Sequence, residues 1–357
     1  MRSIWGLIIF LAIFLAISYL VNGYVLFRLT GYFHLKRTGL FYVLLGLLGF
    51  SLVGSSMLHR VWPNSFTEAL FKASADWIGW LWLLFCALVV FDLVRLAVRL
   101  GAGKQLPDRA MGLILVLAVT VVAGFAIHTA RHLRVRPLRF AGADSLRFAQ
   151  ITDVHLSSIE PGYFQKILEK VNSLNPDAVF VTGDLIDDPD RKTAAAVARL
   201  DEIKAPVFFI AGNHEGYAGL ANVARILEGT RVRWLRNEAV LFKGVQIIGL
   251  DDSMHADHVE RQLAGMELAA DKYKILLCHQ PLGFPAAARA GIDLMLSGHT
   301  HAGQIWPFTY LVKLKYPRVK GIYREGGSSL YVSSGTGTWG PRMRLGSQSE
   351  VVQIDLQ

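Results

Sequence analysis

The sequence predicts an α/β domain behind a four-helix transmembrane region, and three observations lead there. Four long apolar runs, almost free of charge, precede residue 130 of a 357-residue chain. Beyond residue 145, β-prone runs alternate with stretches of helical apolar spacing. Five of the β-prone runs end in Asp, His or Asn: Thr152-Asp153-Val154-His155, Gly183-Asp184, Gly212-Asn213-His214, Cys278-His279 and Gly298-His299-Thr300-His301. The carboxyl ends of strands are where α/β sheets gather their chemistry.

The first part of the chain reads as residues 1–130, with spans at about 4–27, 40–58, 77–98 and 110–128. Each is long enough for a hydrocarbon core of about 30 Å. The first is too long for a signal peptide and lacks its cleavage pattern. Trp5, Trp62, Trp77, Trp80 and Trp82 cluster near span ends, as interfacial anchors do. Asp92 and Arg95, three residues apart, are expected to pair on one face of the third span. An apolar fraction of 52% agrees with a membrane part.

Charge separates the two parts. Residues 1–140 hold 14 Lys+Arg against 4 Asp+Glu, whereas residues 141–357 hold 23 against 24. The basic excess belongs to the membrane part, so the net charge of +9 is no sign of nucleic-acid binding. Lys and Arg flanking the spans divide evenly between the two sides: Arg28, Lys36, Arg37, Arg95, Arg99, Lys104 and Arg109 against Arg2, Arg60, Lys72, Arg131, Arg134, Arg136 and Arg139. The first span alone favours an external C-terminal domain. Two cysteines, Cys86 and Cys278, imply no disulfide framework, and no protein partner is indicated.

Residues 131–144, basic and carrying Pro137 and Gly142, read as a juxtamembrane linker, with the catalytic domain at 145–357. In that domain the spacing predicts strands at 145–151, 179–182, 207–210, 245–250, 273–277, 294–296, 330–334 and 351–356. Helices are predicted over 161–174, 193–203 and 218–227. The aromatic run Ile305 to Pro317 reads as a hairpin or lid, and Asp188, Asp190, Asp251 and Asp252 as turn or surface residues.

Asp, His and Asn without Cys form a hard to intermediate ligand set, suited to Mn²⁺, Fe or Zn²⁺. The carboxylates, amide and imidazoles are too many for one ion. Two ions sharing a carboxylate would use them all and activate a hydroxide for attack at phosphorus. Asp-x-His at a strand end lets both side chains point one way, since alternate residues share a face. The glycines before Asp184, Asn213 and His299 are expected to turn the backbone sharply beneath the ions.

These five blocks, in this order, resemble the calcineurin-like metallophosphoesterase superfamily, and His301-Ala302-Gly303-Gln304 with Gly335 to Pro341 is similar to its bacterial membrane-anchored branch. The resemblance implies a four-layer α/β/β/α sandwich and two divalent ions, Mn²⁺ foremost, with Fe or Zn²⁺ as alternatives. It assigns Asp153, His155 and His301 to the first ion, and Asn213, His279 and His299 to the second, with Asp184 bridging. It makes His214 the acid or transition-state stabiliser, oriented by Asp187, and places Arg342 and Arg344 on the substrate phosphate.

The expected protein is thus a membrane-bound dimetal phosphohydrolase, integral and multi-pass in the inner or plasma membrane. Its expected substrate is lipid-linked, because four spans exceed what a tether needs. Pyrophosphatases acting on UDP-2,3-diacylglucosamine supply a candidate by resemblance, although that nucleotide calls for a cytoplasmic domain. The alternatives are a phosphodiesterase on soluble substrates and a membrane sensor or transporter with a regulatory phosphoesterase domain.

Overall fold

A computed structural model describes residues 4–103, 107–142, 145–255 and 257–357. Arg2, Lys104 and the linker residues 143–144 lie outside them. By internal contacts the chain divides into a helical unit, residues 1–126 with 340–342, and an α/β unit, residues 127–339 with 343–357.

The helical unit contains α1 (Ile4–Tyr32), α2 (Gly39–Val61), α3 (Ser65–Ala102) and α4 (Asp108–Arg131). Each includes a stretch long and apolar enough to cross a membrane. α3 starts well ahead of Trp77 because Asn64 and Thr67 cap each other's backbone N–H groups. The expected Asp92–Arg95 pair does not form. Asp92 accepts from Tyr24 at 2.8 Å and from Arg28, while Arg95 reaches Asp108 at 2.7 Å. Cross-helix partners thus replace the local one, and each charge is matched by an opposite one.

The α/β unit is built on two six-stranded sheets. The first has the order β1-β12-β2-β3-β4-β5, with β1 at Arg134–Phe140, β2 at Leu146–Ile151, β3 at Ala178–Thr182, β4 at Val207–Ile210, β5 at Arg233–Trp234 and β12 at Glu350–Leu356. The second has the order β10-β11-β9-β8-β7-β6, with β6 at Glu238–Phe242, β7 at Val245–Gly249, β8 at Tyr273–Leu277, β9 at Leu294–Ser297, β10 at Gly321–Glu325 and β11 at Ser328–Val332. Strand alternation decides which residue enters which layer. Phe148, Phe180 and Phe208 of the first sheet meet Ile247, Ile275 and Leu294 of the second. Ile151, Val179 and Val181 face the other way, onto α5 (Pro161–Ser173), α6 (Arg191–Ala198) and α8 (Leu220–Leu227). Behind the second sheet, Ile248, Leu276 and Met295 pack on α9 (His258–Ala264) and α10 (Phe284–Arg289). The result is the four-layer α/β/β/α sandwich.

Several local expectations are corrected. The stretch expected as a free linker is strand β1, in parallel register with β12 from Arg134↔Glu350 to Phe140↔Leu356. Its Pro137 is acceptable because β1 is an edge strand. The helix expected over 193–203 is α6 continued as a 3-10 turn at Arg199–Glu202. A short helix α7 (Asn213–Ala218) precedes α8, and the run expected as a hairpin or lid forms α11 (Thr309–Lys315), a helix with no buried residue.

Candidate metal centre

All five motifs end at one edge of the sandwich, after β2, β3, β4, β8 and β9. Asp153, His155 and His301 bring ligand atoms within 4.8 Å of one another, as do Asp184, His279 and His299. His155 Nε2 stands 3.1 Å from His301 Nε2, and His299 Nδ1 stands 3.3 Å from His279 Nε2. Asp184 Oδ2 lies 3.1 Å from His279 Nε2, and Asp153 Oδ1 lies 3.5 Å from His301 Nε2. Asp153, His155 and His279 have no exposed surface.

The backbone achieves this in a way that strand alternation did not foresee. Asp153, His155, Asp184, His299 and His301 all have positive φ, between 47° and 69°. A left-handed conformation costs an ordinary residue about 1–2 kcal/mol. It is held here because the loops bond to each other: Asp153 N donates to Gly183 O at 3.0 Å, His155 N to Asp184 O at 3.0 Å, and Gly337 N to Asp153 O at 3.0 Å. The side chains of Asp-x-His therefore converge through two left-handed residues and not through an extended strand. Of the three glycines expected to bend the chain, Gly183 does so, with φ +92°. Gly212 instead permits close approach, since a Cβ there would sit 2.3 Å from Asp184 Oδ1.

Two features fit divalent ions. Asn213 Oδ1 is buried with no hydrogen-bond partner, which is unusual for an amide oxygen unless something else satisfies it. In addition, each facing pair of imidazole nitrogens has room for one proton at most. Burial disfavours the charged form of His155, but Asp187, Asp184 and Asp153 outweigh it and hold the ring at about 9. Burial and the neighbouring His279 push His299 down to about 3. A cation shared between each pair removes that conflict.

Beside these donors, His214 places Nδ1 2.8 Å from Asp187 Oδ1, and the same oxygen lies 2.7 Å from His155 Nδ1. Burial opposes ionisation of Asp187, yet His155 and His214 hold its carboxyl well below the usual range. His214 N also donates to Asp184 Oδ1 at 2.9 Å.

The two arginines depart from expectation. Arg344 is fully buried, and its guanidinium donates to Gly337 O at 2.6 Å and to Ser347 Oγ at 3.2 Å, and approaches His301 Nδ1 at 3.5 Å. With no exposed surface, it offers none of its donors to a phosphate in solvent. Arg342 groups with the helical unit, where Nη2 donates to Asp76 Oδ2 at 2.7 Å.

Sequence reasoning also missed several residues. Glu215 is completely buried and accepts from Asp184 N, Leu185 N, Ile186 N and Gly212 N at 2.6–3.0 Å, clamping two motif loops together. Its signal was available, since Glu215 is the N3 residue of α7, where a carboxylate caps free N–H groups. Asp252 is not a turn residue, because its carboxylate holds Gln280 Nε2 at 2.9 Å. Tyr316 Oη meets His299 Nε2 at 2.8 Å, a contact between distant segments that no local pattern announces.

Adjoining clusters of oxygen and imidazole donors, buried at one sheet edge with a carboxylate-held histidine beside them, have the chemistry to hold divalent metal ions. The chain belongs to the calcineurin-like metallophosphoesterases. The family described as Calcineurin-like phosphoesterase matches residues 146–303. An uncharacterized metallophosphoesterase of Campylobacter jejuni is 32% identical over 294 residues, covering 77% of this chain and 78% of the relative. The uncharacterized protein YpbG of Bacillus subtilis is 31% identical over 264 residues, covering 71% and 98%. A transmembrane protein with metallophosphoesterase domain from Bos taurus is 34% identical over 239 residues, covering 60% of this chain and 53% of the relative, about half its length. The protein is thus a metal-dependent phosphoester hydrolase of this family, with four helices among the described residues, ahead of the hydrolase domain, that are long and apolar enough to cross a membrane.

Proposed function

We propose that this is a multi-pass protein of the inner or plasma membrane that uses two divalent ions, Mn²⁺ in the first instance, to hydrolyse a phosphoester, phosphodiester or pyrophosphate bond in a lipid-linked substrate. The hydrolytic part is carried by the two donor clusters at one sheet edge, together with the partnerless Asn213 Oδ1 of the motif that follows β4. Asp153, His155 and His301 would hold one ion, and Asn213, His279 and His299 the other, with Asp184 between. Such a pair supplies Lewis acidity and an activated nucleophile for in-line attack at phosphorus. The chain supplies the rest. Asp187 fixes Nδ1 of His214, so Nε2 is the ring atom that offers a proton or hydrogen bond as charge develops on the phosphoryl oxygens. Glu215 and the interlocked loops keep the donors in place before substrate arrives.

The lipid part is supported by the segment that follows His301. Trp306, Phe308, Tyr310, Leu311 and Leu314 are exposed, Leu314 to 83%, and Lys313 and Lys315 stand among them. Aromatic and aliphatic side chains mixed with lysine suit an acyl chain with its anionic headgroup. A UDP-2,3-diacylglucosamine-type pyrophosphate has this chemistry. It also requires the α/β unit on the cytoplasmic side, against the external placement favoured by the first span. A reporter that fluoresces only in the cytoplasm, fused after Gln357, decides between the two placements. For the substrate, kcat/KM is compared for an acylated phosphosubstrate and its deacylated headgroup in detergent, with Trp306→Ser and Phe308→Ser alongside. The acylated substrate is expected to be preferred and the preference to shrink in both variants. Equal efficiency throughout overturns the lipid reading and leaves a soluble phosphodiester.

A further inference from the structure

His299 has two ring nitrogens, and a metal ligand needs the correct one bare. Nδ1 faces His279 Nε2 at 3.3 Å, whereas Nε2 faces Tyr316 Oη at 2.8 Å. Behind Tyr316 runs a chain whose donor sense is fixed from its far end. Both carboxylate oxygens of Asp252 accept from Gln280 Nε2, at 2.9 and 3.1 Å. The amide nitrogen is thereby committed, and Gln280 presents Oε1 to Tyr316, whose hydroxyl donates to it at 2.8 Å. A hydroxyl has one proton. With that proton on Gln280, the Tyr316 oxygen can only accept, so His299 must carry its proton on Nε2 and leave Nδ1 bare.

Tyr316 is also the residue that closes α11. No residue of α11 is buried, and Tyr316, just past its end, is buried against the site. Thr309 Oγ1, at the start of this helix, donates to Ala302 O of the motif loop at 2.8 Å.

We propose that Tyr316, backed by Gln280 and Asp252, is a positioning residue that fixes the tautomer and orientation of His299, and that it thereby links the seating of α11 to occupancy of the second ion's site. The inference rests on reading His299 as a ligand of that ion. Ligand-orienting partners of this kind typically contribute 10- to 100-fold in metal affinity. Linkage makes the effect reciprocal: whatever α11 gives the ion in affinity, the ion returns to α11 in stability.

The test uses the full chain in detergent, stripped of metal and titrated with Mn²⁺ by calorimetry, with hydrogen exchange read over 309–316. Wild type is expected to take two ions, and the second is expected to slow exchange in that segment. Tyr316→Phe keeps the ring and removes the hydroxyl. It should weaken the second ion by about 10- to 100-fold, leave the first unchanged, and abolish the metal-dependent protection of α11. Asp252→Asn, which removes the acceptor-only end of the chain, should weaken the same ion while Tyr316 is intact. Unchanged second-ion affinity in Tyr316→Phe overturns the proposal. So does exchange over 309–316 that ignores metal in the wild type, a measurement that needs no variant to fold. If wild type takes two ions but His299→Ala loses neither, the underlying ligand assignment fails instead.

Discussion

At the scale of single residues, the proposed function separates groups that would hold metal from groups that would act on substrate. Asp184 stands by His279, and its backbone carbonyl accepts from His155 N at 3.0 Å, so the proposed bridging role would join the two halves of the centre. Asp184→Ala is therefore expected to lose both ions and activity together, whereas His155→Ala should be partly restored by excess Mn²⁺. Metal content per chain, measured for each, distinguishes them; two ions retained in Asp184→Ala would contradict the bridging role. His214 has Asp187 on one nitrogen; with His155 and Asp187 it forms a third close group of donor atoms, but it is not in the cluster of Asp153 or that of Asp184. In His214→Gln both ions should stay while kcat falls by roughly 10² to 10⁴. KM should move less, because the interaction forms as charge develops. Loss of metal in place of rate would make His214 a ligand.

At the scale of elements, β1 has the largest consequence. Residues 134–140 pair along their whole length with β12, which in turn pairs with β2, the strand that carries Asp153 and His155. Removing β1 would expose β12 as an unpaired edge and take Leu138 and Phe140 out of the core between the sheets. A chain beginning at His132 is expected to fold as a soluble hydrolase, and one beginning at Ser145 to aggregate or unfold. Circular dichroism and gel filtration of the two decide it. Equal stability would mean that β1 is dispensable after all.

At the scale of the molecule, the donor clusters set buried carboxylates and imidazoles together at positive φ, an arrangement that bound ions stabilise. Chelation is expected to lower the unfolding temperature of the α/β unit. Added Mn²⁺ should raise it again with the logarithm of its concentration, each ion site adding about 2.7 kcal/mol of stability at 100 times its Kd. An unfolding temperature indifferent to metal would show that the centre is already balanced without ions.

The legible part of this protein lay in patterns that are local along the chain. Four apolar runs announced the four long helices, each with a stretch long and apolar enough to cross a membrane. The strands bearing Asp153, Asp184, Asn213, His279 and His299 announced themselves through β-prone residues ending in glycine and ligand types. Their order was enough to reach the family and the layered fold. What the sequence did not display depends on residues far apart meeting in space. Arg344 looked like a phosphate-binding arginine until its burial behind His301 was seen. Asp92 looked paired with Arg95 until α1 brought Arg28 to it. The basic stretch 134–140 looked like a linker because its strand partner lies at the other end of the chain. Glu215 and Tyr316 take their roles from loops that only the folded sheets bring together, and so does the bare Nδ1 of His299, because a donor and acceptor chain has a direction only once all its members are in contact.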